Sequence, residues 1–313
     1  MEAVEKKILL AVDDSIHSRQ ALTYAARMRQ VIPGLSLTLF HSQPAVSQFL
    51  VDEARRQGTA RAELNRVMAR NAEAARSLLD RCREQLVRAG VPEAAVDSVS
   101  QPRQQGPAKD ILDMAQHGLY DAVLVGRRGL GSLQRMVMGS VSVHLVENSQ
   151  LIPIWLVDGK VRSERILAAV DGSADALRAV DHLAFMLSGN PETVVRFFHV
   201  TPRLREFCEV DFSEPEARVL ETLVADGDRR CMDDFFAAAL GRLEAAGFAE
   251  RQIETRTASA LIGVGDVILD AARSEAFGTI VMGRRGVNRS FFGGSVSHMV
   301  SHNIEDVALW LVP

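Results

Sequence analysis

One punctuated block occurs twice in this chain. Gly126-Arg-Arg-Gly129 followed by Gly139-Ser140-Val-Ser142 is matched by Gly283-Arg-Arg-Gly286 followed by Gly294-Ser295-Val-Ser297. Each copy follows a short apolar run, Ala122–Val125 or Thr279–Met282. The pattern is that of a strand end, a glycine-hinged loop and a helix start. Glycines let a backbone approach an anion closely, and free N–H groups at a loop and helix N-terminus face it. Two copies point to a duplicated phosphate-binding, and so nucleotide-binding, domain.

The repeat runs well beyond the loops. Lys7–Ser15 aligns with Arg165–Ser173 at an offset of 171 − 13 = 158, and Leu39-Phe-His41 aligns with Phe197-Phe-His199 at the same offset. Gln85–Gly90 aligns with Arg242–Gly247 at 157, and Gly126 to Gly283 keeps that value. Gly139 to Gly294 drops to 155, as does Trp155 to Trp310. The second glycine loop is therefore two residues shorter. Nine residues, 130–138, separate Gly129 from Gly139, but only seven, 287–293, separate Gly286 from Gly294. The boundary falls at the polar linker Asp158–Ser163, giving domains 1–158 and 159–313. That division fits domains of about 150 residues each.

Hydrophobic patterning gives the order of elements. Ile8–Val12 is a continuous apolar run, as expected of a strand buried on both faces. Asp13-Asp14-Ser15 supplies capping chemistry for a helix over Ser18–Arg29. Leu35–His41 reads as a second strand and the region Leu64–Ala89 as a long helix ended by Gly90-Val-Pro92. Val96–Val99 is a third strand, Gly106-Pro107 opens a helix through His117, and Ala122–Val125 is a fourth strand. A helix over Ser140–Asn148, with Ser140 as its cap, precedes a fifth strand at Ile152–Val157. The second half repeats this order. Such alternation predicts α/β architecture, a parallel sheet with helices on both faces. Ligands of such sheets sit outside the carboxyl ends of the strands, where Asp13, His41 and Gly126 converge.

Composition excludes several functions. A net charge of −4 gives no footprint for nucleic acid or an anionic membrane. The arginines between Arg55 and Arg88 alternate with apolar residues at helical spacing and read as a solvated helix face. Cys82, Cys208 and Cys231 are too few and scattered for a disulfide framework or a zinc site, which fits a reducing cytosol. The start of the chain lacks the apolar stretch of a signal peptide, and no run reaches membrane-spanning length, so a cytoplasmic location is expected. His298 and His302 are four apart, but no third ligand accompanies them, so no metal site is expected. His41 and His199 are expected to satisfy loop backbone groups rather than act as bases.

The motifs together resemble the universal stress protein family in its tandem, two-domain form. Nucleotide-binding members carry Gly-x2-Gly-x9-Gly-Ser/Thr, and Gly126, Gly129, Gly139 and Ser140 match it with the full spacer. Val12-Asp13, Val170-Asp171, the histidine at each second-strand end and the final apolar runs extend the resemblance over the whole chain. It implies two tandem Rossmann-like domains of the adenine nucleotide alpha hydrolase type, each a five-stranded parallel sheet with helices on both faces. It also implies a stress-response, ATP-binding regulatory module, with ATP accompanied by Mg2+. Residue by residue, Ala11, Val12 and Asp13 line the adenine side. Ser42 follows the second-strand histidine, where members often have valine. Val125, Gly126, Arg128 and Gly129 border ribose and phosphates, and Gly139, Ser140, Val141 and Ser142 hold the phosphates. The second-half matches are Val170, Asp171, Val200, Met282, Gly283, Arg285, Gly286, Gly294, Ser295, Val296 and Ser297. The short spacer there departs from the pattern and puts binding in that half in question.

The chain has no Gly-x4-Gly-Lys-Ser/Thr loop, no kinase catalytic loop and no Gly-x-Ser-x-Gly elbow. A nucleotide site without an evident base or nucleophile suggests binding, with hydrolysis slow or incidental. Two alternatives stand beside the regulatory reading: a slow ATPase or other nucleotide-dependent enzyme, and a nucleotide-free structural protein. The partners expected are an adenine nucleotide and an unidentified protein. The two halves are expected to form an intramolecular pseudo-dimer through Ile152–Val157 and Val307–Val312, leaving room for a further homodimer.

Overall fold

The protein was analysed as a computed structural model, which describes residues 4–128, 138–201, 215–259, 263–286 and 295–313. It divides into two compact units: Val4–Arg29 with Gly34–Val157, and Asp158–Pro313 with Gln30–Pro33.

The first half is built from β1 (Lys6–Ala11), α1 (Ile16–Val31), β2 (Leu35–Gln43), α2 (Gln48–Ala54), α3 (Gly58–Arg88), β3 (Val96–Pro102), α4 (Pro107–His117), β4 (Ala122–Gly126), α5 (Ser140–Asn148) and β5 (Ile154–Val157). Its strand order is β3-β2-β1-β4-β5, and the pairs β1–β2, β1–β4, β2–β3 and β4–β5 are all parallel. The second half contains β6 (Ile166–Val170), α6 (Ala174–Leu187), β7 (Val195–Thr201), α7 (Pro215–Ala245), β8 (Ile253–Ser259), α8 (Val264–Ser274), β9 (Thr279–Gly283), α9 (Ser295–Asn303) and β10 (Ala308–Val312). Its order, β10-β9-β6-β7-β8, repeats the first, with all four pairs parallel. Both halves are therefore α/β domains with a parallel sheet and helices on both sides.

Burial explains the sequence signal. Ile8, Leu9 and Leu10 of β1 and Ile166 and Leu167 of β6 are buried, as their unbroken apolar runs require of central strands. The outermost strand β3 has no such run, and most of its residues are exposed or half-buried. It reaches Pro102, three residues beyond the expected Val99, because the ladder with β2 continues through His41↔Ser100, Ser42↔Gln101 and Gln43↔Pro102. Backbone pairing, not apolar patterning, sets its end.

The long helices end identically. Gly90 has φ +91° and Gly247 has φ +89°. After them, Val91 N donates to Leu86 O (3.1 Å) and Phe248 N to Leu243 O (3.0 Å). This closure needs a left-handed residue, which glycine adopts without strain.

Candidate functional site

The strand order puts the reversal point of the first half between β1 and β4. Chain connections leave β1 toward β2 on one side, while β4 lies on the other. A crevice opens at such a point, outside the carboxyl ends. Register sets what faces it. Ala11 lies opposite Phe40 of β2 and Val125 of β4. Two residues farther on come Asp13 and Arg127, just past the ends of their strands, and Ser42, still within β2. In the second half Ala169 lies opposite Phe198 and Met282, so Asp171, Val200 and Arg284 occupy the corresponding row.

The turn after β1 is closed by its own side chains. Asp13 N donates to Ser18 Oγ (2.9 Å), Ser15 N to Asp13 Oδ1 (3.1 Å) and Ser18 N to Ser15 Oγ (3.1 Å). The last bond caps α1. The second half keeps two of the three: Ser173 N donates to Asp171 Oδ1 (3.1 Å) and Ala176 N to Ser173 Oγ (3.0 Å). Ala176 stands where Ser18 is, so the third bond has no counterpart. Both histidines do as expected: His41 Nδ1 bonds Val12 O at 2.8 Å, and His199 Nδ1 bonds Val170 O at 3.0 Å. Each imidazole thus ties the second strand to a carbonyl at or just past the end of the first, and His199 Nε2 also bonds Asp228 Oδ2 at 2.9 Å.

The first glycine of each block has a packing reason. A Cβ on Gly126 would lie 2.8 Å from the carbonyl carbon and oxygen of His17 and 2.9 Å from its Cβ. A Cβ on Gly283 would lie 2.6 Å from the carbonyl carbon of Asp175 and 2.8 Å from Ala176 N. The fourth or ninth strand therefore passes directly against the first turn of α1 or α6. Gly286 differs in what it meets: a Cβ there would run into Asp171 Oδ2, so the motif's aspartate rests on the motif's second glycine.

The loop then delivers the chain to a helix. Gly139 N donates to Arg127 O (2.9 Å), and Val143 N returns to Gly139 O (2.9 Å). Gly139, not Ser140, is the residue that precedes the helix, and no side chain caps it. This corrects the expectation of a serine cap. Ser140 sits one position inside, exposed, where its hydroxyl is not at the capping place. The first-turn N–H groups of Ser140, Val141 and Ser142 have no intrahelical acceptor and carry the positive end of the helix dipole. The Ser142 hydroxyl is buried and donates to Gly126 O (2.9 Å). In the second half Ser297 Oγ donates to Arg284 O (2.7 Å). These hydroxyls pin each helix to the end of the preceding strand or to the residue just after it.

The other expected residues differ in burial. Ala11, Val12, Val125 and Gly126 are buried at the ends of β1 and β4, Asp13 and Arg128 are half-buried, and Val141 is half-buried in the first turn of α5. Val170, Val200 and Met282 are buried, Asp171, Gly283, Gly286 and Val296 half-buried, and Arg285 exposed with its N–H donating to Asp175 Oδ2 (3.1 Å). Gly129 and Gly294 lie outside the described residues. Ser295 is described only as the first residue of α9.

Sequence reasoning missed Asp110. It is 2% exposed in the first turn of α4. It accepts from Ser42 Oγ (2.9 Å), Gln105 N (3.0 Å) and Gln104 N (3.2 Å). Burial disfavours its charge, but the hydrogen bonds from Gln105, Ser42, Gln104 and Gly106 prevail and hold the carboxyl below the usual carboxylate range. The signal was present in the repeat: Ser42 aligns with Val200, and Asp110, at offset 157, with Val267, so both polar partners become apolar together. On α3, facing Asp13 and Asp14, burial pushes the Cys82 thiol up to about 11, so it offers no thiolate. The described residues hold no group of three histidine, cysteine or carboxylate side chains placed to bind a metal ion.

The universal stress protein family model matches residues 5–158 and again 162–308. A universal stress protein from Archaeoglobus fulgidus is similar in fold, with 19% identity, coverage of 98% of this chain and 97% of its own, and a TM-score of 0.64. A functionally unknown protein from Pseudomonas aeruginosa has 14% identity, coverage of 99% and 93%, and a TM-score of 0.54. A universal stress protein from Archaeoglobus fulgidus, solved in complex with dAMP, aligns at 18% identity with 48% of this chain and 96% of its own, with a TM-score of 0.34. A comparison with curated protein sequences returns no match.

Proposed function

The chain belongs to the universal stress protein family, and from that premise we propose that it is an ATP-binding regulatory module of the stress response, with little or no turnover. The observation that supports this reading is that Asp13, the tightly packed Gly126 and the N-terminus of α5, which its N-cap residue Gly139 leaves without a side-chain cap, all lie at the reversal point of the first-half sheet. Anions bind well at such a helix start. The phosphates belong against Ser140, Val141 and Ser142, and the base belongs on the β1–β2 side. Gly129 and Arg128 border the ribose and phosphates. Mg2+ enters with the nucleotide, on its phosphates.

The second half offers the corresponding residues with a shorter loop, so the first half is the tighter site. Among the described residues around either turn, no nucleophile is held against a base: His41 and His199 bond the carbonyls of Val12 and Val170, His199 Nε2 bonds Asp228 Oδ2 at 2.9 Å, and the Cys82 thiol is neutral. What ATP supplies is then occupancy, which stabilises the liganded form by mass action and passes this to a protein partner. On this reading the protein acts in the cytoplasm. Among the described residues, no helix is long and apolar enough to cross a membrane.

Native mass spectrometry of the purified protein, followed by calorimetric titration with MgATP, tests the reading. Retained or added adenine nucleotide, with one tight site per chain, is the expected result. A chain that stays empty at millimolar MgATP refutes it.

A further inference from the structure

Ser42 and Asp110 are joined by a bond that fixes the direction of a hydroxyl. A serine hydroxyl has one proton to donate and two lone pairs to accept with. The Ser42 proton goes to Asp110 Oδ2 at 2.9 Å. Asp110 has no freedom to release it. Its carboxylate is buried and receives Gln105 N at 3.0 Å and Gln104 N at 3.2 Å. An ionised carboxylate only accepts, so the hydroxyl cannot turn around. Ser42 is half-buried at the carboxyl end of β2 and therefore offers lone pairs, not a proton, to anything in the crevice.

This inference rests on the nucleotide reading above. With the phosphates at α5, beyond β4, a nucleotide extends across β1 toward β2, two strand spacings or about 9.6 Å away. Its base then meets the end of β2. We propose that Ser42, oriented by Asp110, makes the first half select a purine with an amino group at C6 over one with an oxo group at C6. An amino group donates into the Ser42 lone pairs. An oxo group sets lone pair against lone pair, and the hydroxyl cannot reorient to relieve it. Asp110 acts through Ser42 as a positioning residue. The second half lacks the device altogether, with Val200 and Val267 in these places, and so does not discriminate by this route.

The test is competition of MgATP with MgITP, which differ at this group, on the full chain and on Ser42→Ala and Asp110→Ala variants. The intact protein should favour ATP by about tenfold, the scale of one neutral hydrogen bond with its mismatch. Ser42→Ala, which removes only an oxygen, should bring the ratio to within about twofold while MgATP still binds. Asp110→Ala should do the same by freeing the hydroxyl to donate; a merely structural role would weaken both ligands equally and leave the ratio alone. An unchanged ratio in Ser42→Ala that still binds nucleotide overturns the inference and leaves the nucleotide reading standing. No binding of either nucleotide to the intact protein overturns both.

Discussion

Replacing Gly126 with alanine separates two reasons for a glycine at the end of β4. If only a ligand needs the small residue, Gly126→Ala folds normally and binds poorly. The geometry says otherwise. The new methyl would lie 2.8–2.9 Å from three atoms of His17, two of them backbone, where ordinary contact is 3.4–4 Å. Each contact falls short by at least half an ångström, roughly, and backbone cannot rotate away as a side chain does. Either the first turn of α1 moves out or β4 moves sideways, and both are held: Ser18 N is bonded to Ser15 Oγ, and β4 lies between β1 and β5. Overpacking of this kind costs about 1–3 kcal/mol. For a domain of this size that lowers the melting temperature by about 2–4 °C per kcal/mol, so a fall of some 2–12 °C is expected. Differential scanning calorimetry measures it, and hydrogen exchange at α1 assigns it to the first half. Gly58→Ala is the control, since nothing lies within 4 Å of its added Cβ. A Gly126→Ala protein melting within 1 °C of the parent, roughly the error of comparing such melts, refutes the packing argument.

Further outcomes follow from the same contacts. Gly283→Ala should destabilise the second half by at least as much, because its closest approach is 2.6 Å, again to backbone; a scanning melt of the full chain reads it. Ser142→Ala should cost about 1–3 kcal/mol, since it leaves the buried Gly126 carbonyl without its donor, and urea unfolding midpoints check this. The Asp110 carboxyl lies below its unfolded value, so its stabilisation is complete above about pH 4 and is lost as pH falls through the folded value. Asp110→Asn should therefore flatten the acid side of the stability–pH curve, and an unchanged acid limb contradicts the hydrogen-bond account. Phosphate release from MgATP by contaminant-free protein should stay far below about 1 per second; multiple turnovers at that rate overturn the binding-module reading.

The sequence by itself determined the duplication, the order of elements and the places where glycine interrupts them. These features are local: an apolar run marks a buried strand, and Gly106-Pro107 opened α4 where expected because cap and first-turn chemistry lie within a few residues. Membership of the family was legible for the same reason, since its motif is a spacing. Only the tertiary structure decided what several of those residues are for. The motif reads Gly126 as close approach to a phosphate; the fold adds a packing reason by putting His17, far away in sequence, against it. Ser140 reads in the sequence as a cap, but Gly139 holds that place in the structure. The polar end of β3 carried no periodic signal, because pairing with β2 rather than side-chain burial holds it. Ser42 and Asp110 lie 68 residues apart, and neither predicts the other within its own element. Their bond exists because a parallel sheet brings the end of β2 beside the start of α4. Periodicity and capping reach one helical turn or one strand; a contact between a strand end and a helix start depends on strand order, which no single stretch of sequence encodes.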